Sequence, residues 1–247
     1  MSDFIIPDWP APKNVRALVT TRQGGVSVGS YASFNLADHV GDDPQAVAAN
    51  RKRLRQLAPE LPADPLWLKQ VHGVSCIAVE NSVPGVEADA SWSHTAGRVC
   101  AVLTADCLPL LLCDESGSVV SAVHAGWQGL AKGVIEAAVK TLPVAPQTLL
   151  AWLGPAIGPT AFEVGADVRD PFFLHDHEAA TAFKSIANGK WLGDIYLLAR
   201  QRLNALGVTR IYGGGECTVT DVQRFYSFRR DKLTGRMASL IWLAGPT

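Results

Sequence analysis

Four short apolar runs, Val99–Leu103, Leu108–Cys113, Val119–His124 and Thr148–Leu153, follow one another through the middle of the chain with almost no polar interruption. Each is too short for a core helix, and none alternates in the way that leaves one face to water. They read as strands buried on both sides. Val15–Thr20, Leu66–Gln70, Ser75–Val79 and Met237–Leu243 add further strand candidates. Helical periodicity runs over Asp43–Ala58, Trp127–Thr141, Gly165–Phe173 and Asp194–Leu206. Asp42 or Asp43 can cap the first of these, with Pro44 in its first turn. Strands outnumber helices and do not alternate regularly with them, which points to a layered α+β or mixed α/β sandwich rather than a Rossmann fold. No linker rich in Pro, Gly and Ser divides the 247 residues, so residues 1–247 read as a single domain.

Charge narrows the partners. The 22 Lys and Arg residues stand against 23 Asp and Glu, a net of -1 that argues against a nucleic-acid coat or a polybasic membrane binder. The opening Met1-Ser2-Asp3-Phe4-Ile5-Ile6-Pro7 lacks the pattern of a secretory leader. The longest apolar stretch, Val99 to Cys113, is broken by Thr104, Asp106 and Pro109, so no membrane span is expected. Five cysteines, at 76, 100, 107, 113 and 217, form no Cys-x-x-Cys pair. The odd count fits reduced thiols in a cytoplasm.

Three motifs place a metal-competent side chain at the end of an apolar strand: Gln70-Val71-His72-Gly73, Thr104-Ala105-Asp106-Cys107-Leu108-Pro109 and Val123-His124-Ala125-Gly126-Trp127. One thiolate and two imidazoles make a three-ligand set that leaves a fourth position open. The same atoms allow a different chemistry, with Cys107 as nucleophile, His124 as its base and Asp106 or Asp89 orienting the ring. Residue types alone leave both readings open. Thr21-Arg22-Gln23-Gly24-Gly25 follows a strand and suits anion capture, and Gly154-Pro155-Ala156-Ile157-Gly158-Pro159 suits a rigid pocket wall with Glu163 as a buried carboxylate nearby. Ser227-Phe228-Arg229-Arg230-Asp231 and Thr234-Gly235-Arg236 offer further cations. The Arg51–Arg55 cluster reads as a solvated helix face, and His39, His94, His175 and His177 as polar surface. Cys76, Cys100 and Cys113 read as core.

As an ordered set these motifs, with Ile6-Pro7-Asp8-Trp9-Pro10, Asn50-Arg51-Lys52-Arg53-Leu54, Ala88-Asp89-Ala90 and Met237-Ala238-Ser239, resemble the YfiH-type family. It is also called the laccase-domain or multicopper polyphenol oxidoreductase family, and is now regarded as a group of purine nucleoside phosphorylases. The resemblance covers nearly the whole chain. It implies a layered α/β/β/α fold similar to that of putative cysteine hydrolases and toxin domains. It implies zinc on His72, Cys107 and His124, with copper as an alternative metal. The implied substrates are a purine nucleoside and phosphate, for phosphorolysis of adenosine, inosine, guanosine and S-methyl-5'-thioadenosine together with adenosine deamination. Bacterial members are also linked to peptidoglycan editing. The family usually carries Arg after His-Ala-Gly-Trp, where this chain has Gln128.

Physical chemistry ranks these activities. Laccase chemistry needs a histidine-rich multicopper cluster, and this chain has six histidines, two of them in strong motifs. A soft His–Cys–His site still binds copper well. Deamination needs an activated water and a carboxylate to shuttle the proton, for which Asp89 and Asp106 are the candidates; the usual H-x-E and P-C-x-x-C deaminase pattern is absent. Phosphorolysis needs cations on the phosphate, and with Gln128 in place of Arg the expectation falls on Arg22, Arg51 or Arg230. The expected protein is a cytoplasmic zinc-dependent purine nucleoside phosphorylase, a monomer or small homo-oligomer. The alternative is a Cys107/His124 hydrolase acting on peptidoglycan precursors.

Overall fold

A computed structural model describes residues 4–245, so the reading of the first three residues falls outside it. In chain order the first strands are β1 (Val15–Val19), β2 (Cys76–Ala78), β3 (Ala90–Ser93), β4 (Val99–Thr104), β5 (Leu108–Asp114), β6 (Val120–Ala125) and β7 (Leu149–Leu153). There follow β8 (Glu163–Val164), β9 (Phe183–Ile186), β10 (Lys190–Gly193), β11 (Arg210–Gly213) and β12 (Met237–Leu243). The helices are α1 (Pro44–Leu57), α2 (Trp127–Lys132), α3 (Val134–Thr141), α4 (Ala166–His175), α5 (Ile195–Ala205) and α6 (Phe228–Asp231).

A six-stranded mixed sheet of order β11-β7-β5-β6-β3-β2 lies beside a three-stranded antiparallel sheet of order β1-β12-β4. A second three-stranded sheet, β8-β10-β9, stands apart from both. The expected double burial follows from the two-residue period of a strand. Along β5, Leu108, Leu110 and Leu112 pack with Leu130, Ile135 and Leu198 of the helices α2, α3 and α5, while Leu111 and Cys113 pack with Val15, Val102 and Ile241 of the small sheet. The far face of the small sheet presents Leu18, Ala101, Leu240 and Trp242 to Leu54 of α1 and to Phe34 and Leu36. Helix, sheet, sheet and helices therefore stack as four layers, the arrangement the family resemblance implies. Asp43 caps α1 by accepting from the Gln45 N–H, with Pro44 at the first helical position.

Several elements differ from the sequence reading, among them β8, β9, β10 and β11, which it does not contain. The periodic stretch Trp127–Thr141 is two helices, because Gly133 adopts φ 97° and closes α2 by donating its N–H to the carbonyls of Gly129 and Leu130. Leu66–Gln70 forms no strand and makes only isolated bridges, Leu66 to Cys100 and Lys69 to Glu87. Strand β3, Ala-Ser-Trp-Ser, gives no apolar signal yet lies inside the large sheet, with Ser91 and Ser93 buried.

Leu111 is fully buried between the sheets. Leu111→Ala should lower the free energy of unfolding by about 3 kcal/mol in urea denaturation, and a loss under about 1 kcal/mol would contradict a close-packed inter-sheet core.

Candidate active site

Strand register assembles the site. In the β5–β6 pair Leu108 lies opposite Ala125 and Pro109 opposite His124, so Cys107, one residue before β5, emerges beside His124. In the β3–β6 pair Ala90 lies opposite Val123, which puts Asp89 next to His124 on the other side. The ladder continues one step there, the His124 N–H donating to the Asp89 carbonyl at 2.7 Å. His72 arrives from a turn that no strand holds. The Gln70 side chain fixes that turn by pairing both ways with the Leu103 backbone: its Oε1 accepts at 2.7 Å and its Nε2 donates at 2.8 Å.

Asp89, fully buried, ties these pieces together. Its Oδ1 accepts from the His72 N–H at 2.9 Å and from His124 Nδ1 at 2.8 Å, and its Oδ2 accepts from the N–H groups of Val71 (3.2 Å) and Gly73 (2.7 Å). Burial alone would raise the Asp89 pKa, but the His124 ring and the Gly73 and Val71 amides outweigh it and hold the carboxyl below its ordinary value. With Nδ1 engaged, His124 turns Nε2 toward Cys107 and His72.

The donor atoms of His72, Cys107 and His124 all lie within 4.8 Å of one another, and Cys107 Sγ is 3.7 Å from His72 Nε2. A tetrahedral zinc with bonds of about 2.0–2.3 Å needs ligand atoms roughly 3.3–3.8 Å apart, so this donor set fits with small adjustments. The two imidazoles meet edge to face at 4.8 Å. Burial opposes a thiolate at Cys107, yet the charge of His124 and hydrogen bonds from both histidines prevail and pull it down to about 6. Burial likewise opposes a charged His124, and the charge of Cys107 with the hydrogen bond to Asp89 raises it to about 9. The core thiols behave oppositely: burial pushes Cys76 and Cys113 up to about 12 and raises Cys100 as well. Gly126 is required here, because a Cβ at that position would lie 2.9 Å from both Cys107 Sγ and His72 Cδ2. His72 (φ 57°) and Asp106 (φ 89°) hold left-handed backbone conformations on two of the three ligand-bearing turns.

The cluster opens into a cavity of about 300 Å³ whose walls are largely apolar: Trp127, Ile157, Phe162, Ile195 and Phe228. Asp106 also lines it, but its oxygens are occupied. Oδ1 accepts from Thr218 Oγ1 at 2.6 Å, and Oδ2 accepts from the Arg229 N–H at 2.6 Å and from Ser227 Oγ at 3.1 Å.

The cations expected from the sequence are elsewhere. Arg22 donates to the carbonyls of Ala32 and Val222 and stacks on Tyr226. Arg51 donates to the Leu36 carbonyl, pairs with Asp38 at 3.2 Å and lies over Trp67 in a separate cleft. Arg230 is consumed by the carbonyls of Thr218, Val219 and Phe225 and by Asp231. None of the three lines the cavity. Glu163 is exposed, not buried, and Gln128 lies exposed on α2. The cavity's cations are instead Arg229 and Lys232. Arginines 229 and 230 are adjacent in sequence, and on α6, capped by Ser227, the first lines the cavity and the second does not.

The family model for multi-copper polyphenol oxidoreductase laccase matches residues 16–244 of the chain. The chain belongs to this family. Among its relatives, purine nucleoside phosphorylase PA4543 of Pseudomonas aeruginosa is 55% identical over 244 residues, covering 98% of this chain and 99% of that protein. Purine nucleoside phosphorylase YfiH of Escherichia coli is 54% identical over 245 residues, covering 98% and 100%. The crystal structure of Neisseria meningitidis protein NMB0706 superposes with a TM-score of 0.94 at 49% identity, over 98% of this chain and all of that one. That of YlmD from Geobacillus stearothermophilus gives 0.85 at 30% identity, over 96% and 94%.

Two outcomes test the geometry of this laccase-domain site. Gly126→Ala should stay folded and bind zinc at least about tenfold more weakly in a chelator-competition titration, and unchanged affinity would contradict the close approach. Asp89→Asn turns an acceptor into a donor facing backbone N–H groups and should cost about 3 kcal/mol at pH 7. Because the folded-state pKa of Asp89 lies below its unfolded value, its contribution is complete above the unfolded value and is lost as pH falls through the folded one. The gap between wild type and Asp89→Asn in urea denaturation should therefore narrow below about pH 4; a gap constant with pH would contradict the role of the ionised carboxylate.

Proposed function

We propose that this chain, as one domain over residues 1–247, is a zinc-dependent purine nucleoside phosphorylase acting on adenosine, inosine, guanosine and S-methyl-5'-thioadenosine, with adenosine deamination as a second activity. The observation that carries this reading is the His72–Cys107–His124 donor set opening into an apolar cavity. The names of the closely similar relatives support it. Zinc is the metal we assign, with copper as the alternative such a soft donor set also accepts. Bound there, the metal supplies Lewis-acid polarisation of a substrate oxygen or nitrogen. The chain's own residues do the rest. Trp127, Ile157, Phe162, Ile195 and Phe228 give a planar base apolar and aromatic surface and keep water from the glycosidic bond. Asp89 fixes the orientation of His124 and the turn of His72, and Asp106 holds α6 against the cavity.

Proton supply favours phosphorolysis as the main reaction. Both carboxylates expected to shuttle a proton are saturated with donors, and Asp89 is sealed from the cavity. In phosphorolysis a phosphate oxygen forms the bond to C1′ and the bond from C1′ to the purine nitrogen breaks with its electron pair going to the base. The proton of hydrogen phosphate ends on that base, so no protein carboxylate has to carry one. Deamination, which needs such a carrier, is accordingly the slower activity. We place the enzyme in the cytoplasm, as a monomer or small homo-oligomer with no nucleic-acid or membrane partner; among the described residues no helix is long and apolar enough to cross a membrane.

A second reading draws on one specific observation. Cys107 within reach of His124, whose Nδ1 bonds Asp89 at 2.8 Å, has the form of a cysteine-hydrolase triad, for which peptidoglycan precursors are the substrates to consider. Turnover of adenosine with and without phosphate separates the two. The phosphorylase reading expects free base and ribose 1-phosphate only when phosphate is present, with loss of more than about a hundredfold in Cys107→Ala and on chelation. Metal-free protein that still cleaves an amide or ester would establish the hydrolase.

A further inference from the structure

The cavity beside the metal-competent cluster carries a charge imbalance that the catalytic reading has not used. Arg229 and Lys232 both line it, one in α6 and the other immediately after it. Among the described residues neither has a carboxylate within ion-pair distance. Arg229 spends one donor, Nη1, on the Glu163 carbonyl at 2.7 Å, and its guanidinium lies over the Phe162 ring at 5.6 Å. That contact fixes the plane of the fork and leaves its remaining N–H groups available. Lys232 Nζ lies 5.9 Å from the centre of the Phe228 ring. The one acidic side chain in the wall, Asp106, has its oxygens filled by Thr218, Ser227 and the Arg229 backbone, so it does not neutralise these side chains by direct pairing.

We propose that Arg229 and Lys232 are the phosphate anchor of this cavity, the planar fork of Arg229 taking two phosphate oxygens and Lys232 adding a point charge. The assignment rests on the phosphorylase reading above and replaces Arg22, Arg51 and Arg230 in that role. A phosphate held by these two groups lies in the same cavity as the ligand cluster, where an oxygen can form the bond to C1′ as the purine departs. The anchor is also tied to the cluster through the chain. The Arg229 N–H and the Ser227 hydroxyl hang on the carboxylate of Asp106, the residue immediately before Cys107. The separation between anion site and cluster is thereby fixed by one buried hydrogen-bonded side chain.

Two measurements on the full chain test this, using wild type, Arg229→Gln, Lys232→Met and a control, Lys184→Met, on an exposed lysine that does not line the cavity. The first is steady-state phosphorolysis with inosine and inorganic phosphate varied separately. The second is titration with inorganic phosphate followed by phosphorus NMR, which reads binding without turnover. Arg229→Gln should raise both the KM and the Kd for phosphate about tenfold and Lys232→Met about threefold to tenfold, with the KM for inosine moving less than about twofold and the control unchanged. Phosphate binding unaltered in both variants would overturn the proposal, as would a rise in the inosine KM with the phosphate values fixed. If phosphate binding falls as expected but wild type releases no base from any purine nucleoside, the anchor stands and the phosphorylase reading fails.

Discussion

The carboxylate of Asp89 accepts three backbone N–H groups from residues 71–73 and the Nδ1–H of His124, all in a place that water does not reach. Leaving such a group unpaired in the interior would cost several kcal/mol, so the turn carrying His72 and the ring of His124 have one arrangement that satisfies it. The turn has no strand pairing of its own. Its position comes from Asp89 on one side and from the Gln70 grip on Leu103 on the other. Two histidines from distant parts of the chain are thus held against Cys107 by the protein's own hydrogen bonds. A tight site with few ligands depends on such support from behind.

The sheets supply the rigid frame. Cys107 and His124 come together because β5 and β6 pair in a register set by double burial, and a one-residue slip would exchange the faces of every side chain along them. Gly126 then lets the strand-to-helix turn pass against the cluster with no Cβ in the way. The same turn starts α2, whose Trp127 forms part of the cavity wall. Frame, ligand cluster and substrate surface therefore share one short stretch of chain. This explains why Val123-His124-Ala125-Gly126-Trp127 stands out so clearly as a motif.

Much of this was legible in the sequence where the signal was local. Unbroken apolar runs gave the central strands. The motifs singled out His72, Cys107 and His124, which by residue type fit either a metal set or a nucleophile with its base. The fold brings all three within reach of one metal, His72 from a turn rather than a strand end. What stayed hidden depended on partners far away in the chain. Strand β3, Ala-Ser-Trp-Ser, is four residues long with two serines and owes its place to neighbours on both sides, so it does not stand out as an apolar run. Arg22 and Arg230 look like anion binders until backbone carbonyls 5 to 200 residues away are seen to take their donors. Arg229 and Arg230 differ only in the side of a one-turn helix on which they fall.

The phosphorylase reading rests on a metal held by the two imidazoles and one thiolate of His72, His124 and Cys107, with Asp89 orienting His124 from behind. X-ray absorption at the zinc edge of the purified, zinc-loaded protein measures that most directly. The account predicts one sulfur at about 2.3 Å and two imidazole nitrogens at about 2.0 Å, with the sulfur contribution lost in Cys107→Ala. A zinc environment of oxygen and nitrogen alone, or an unchanged spectrum in that variant, would contradict it.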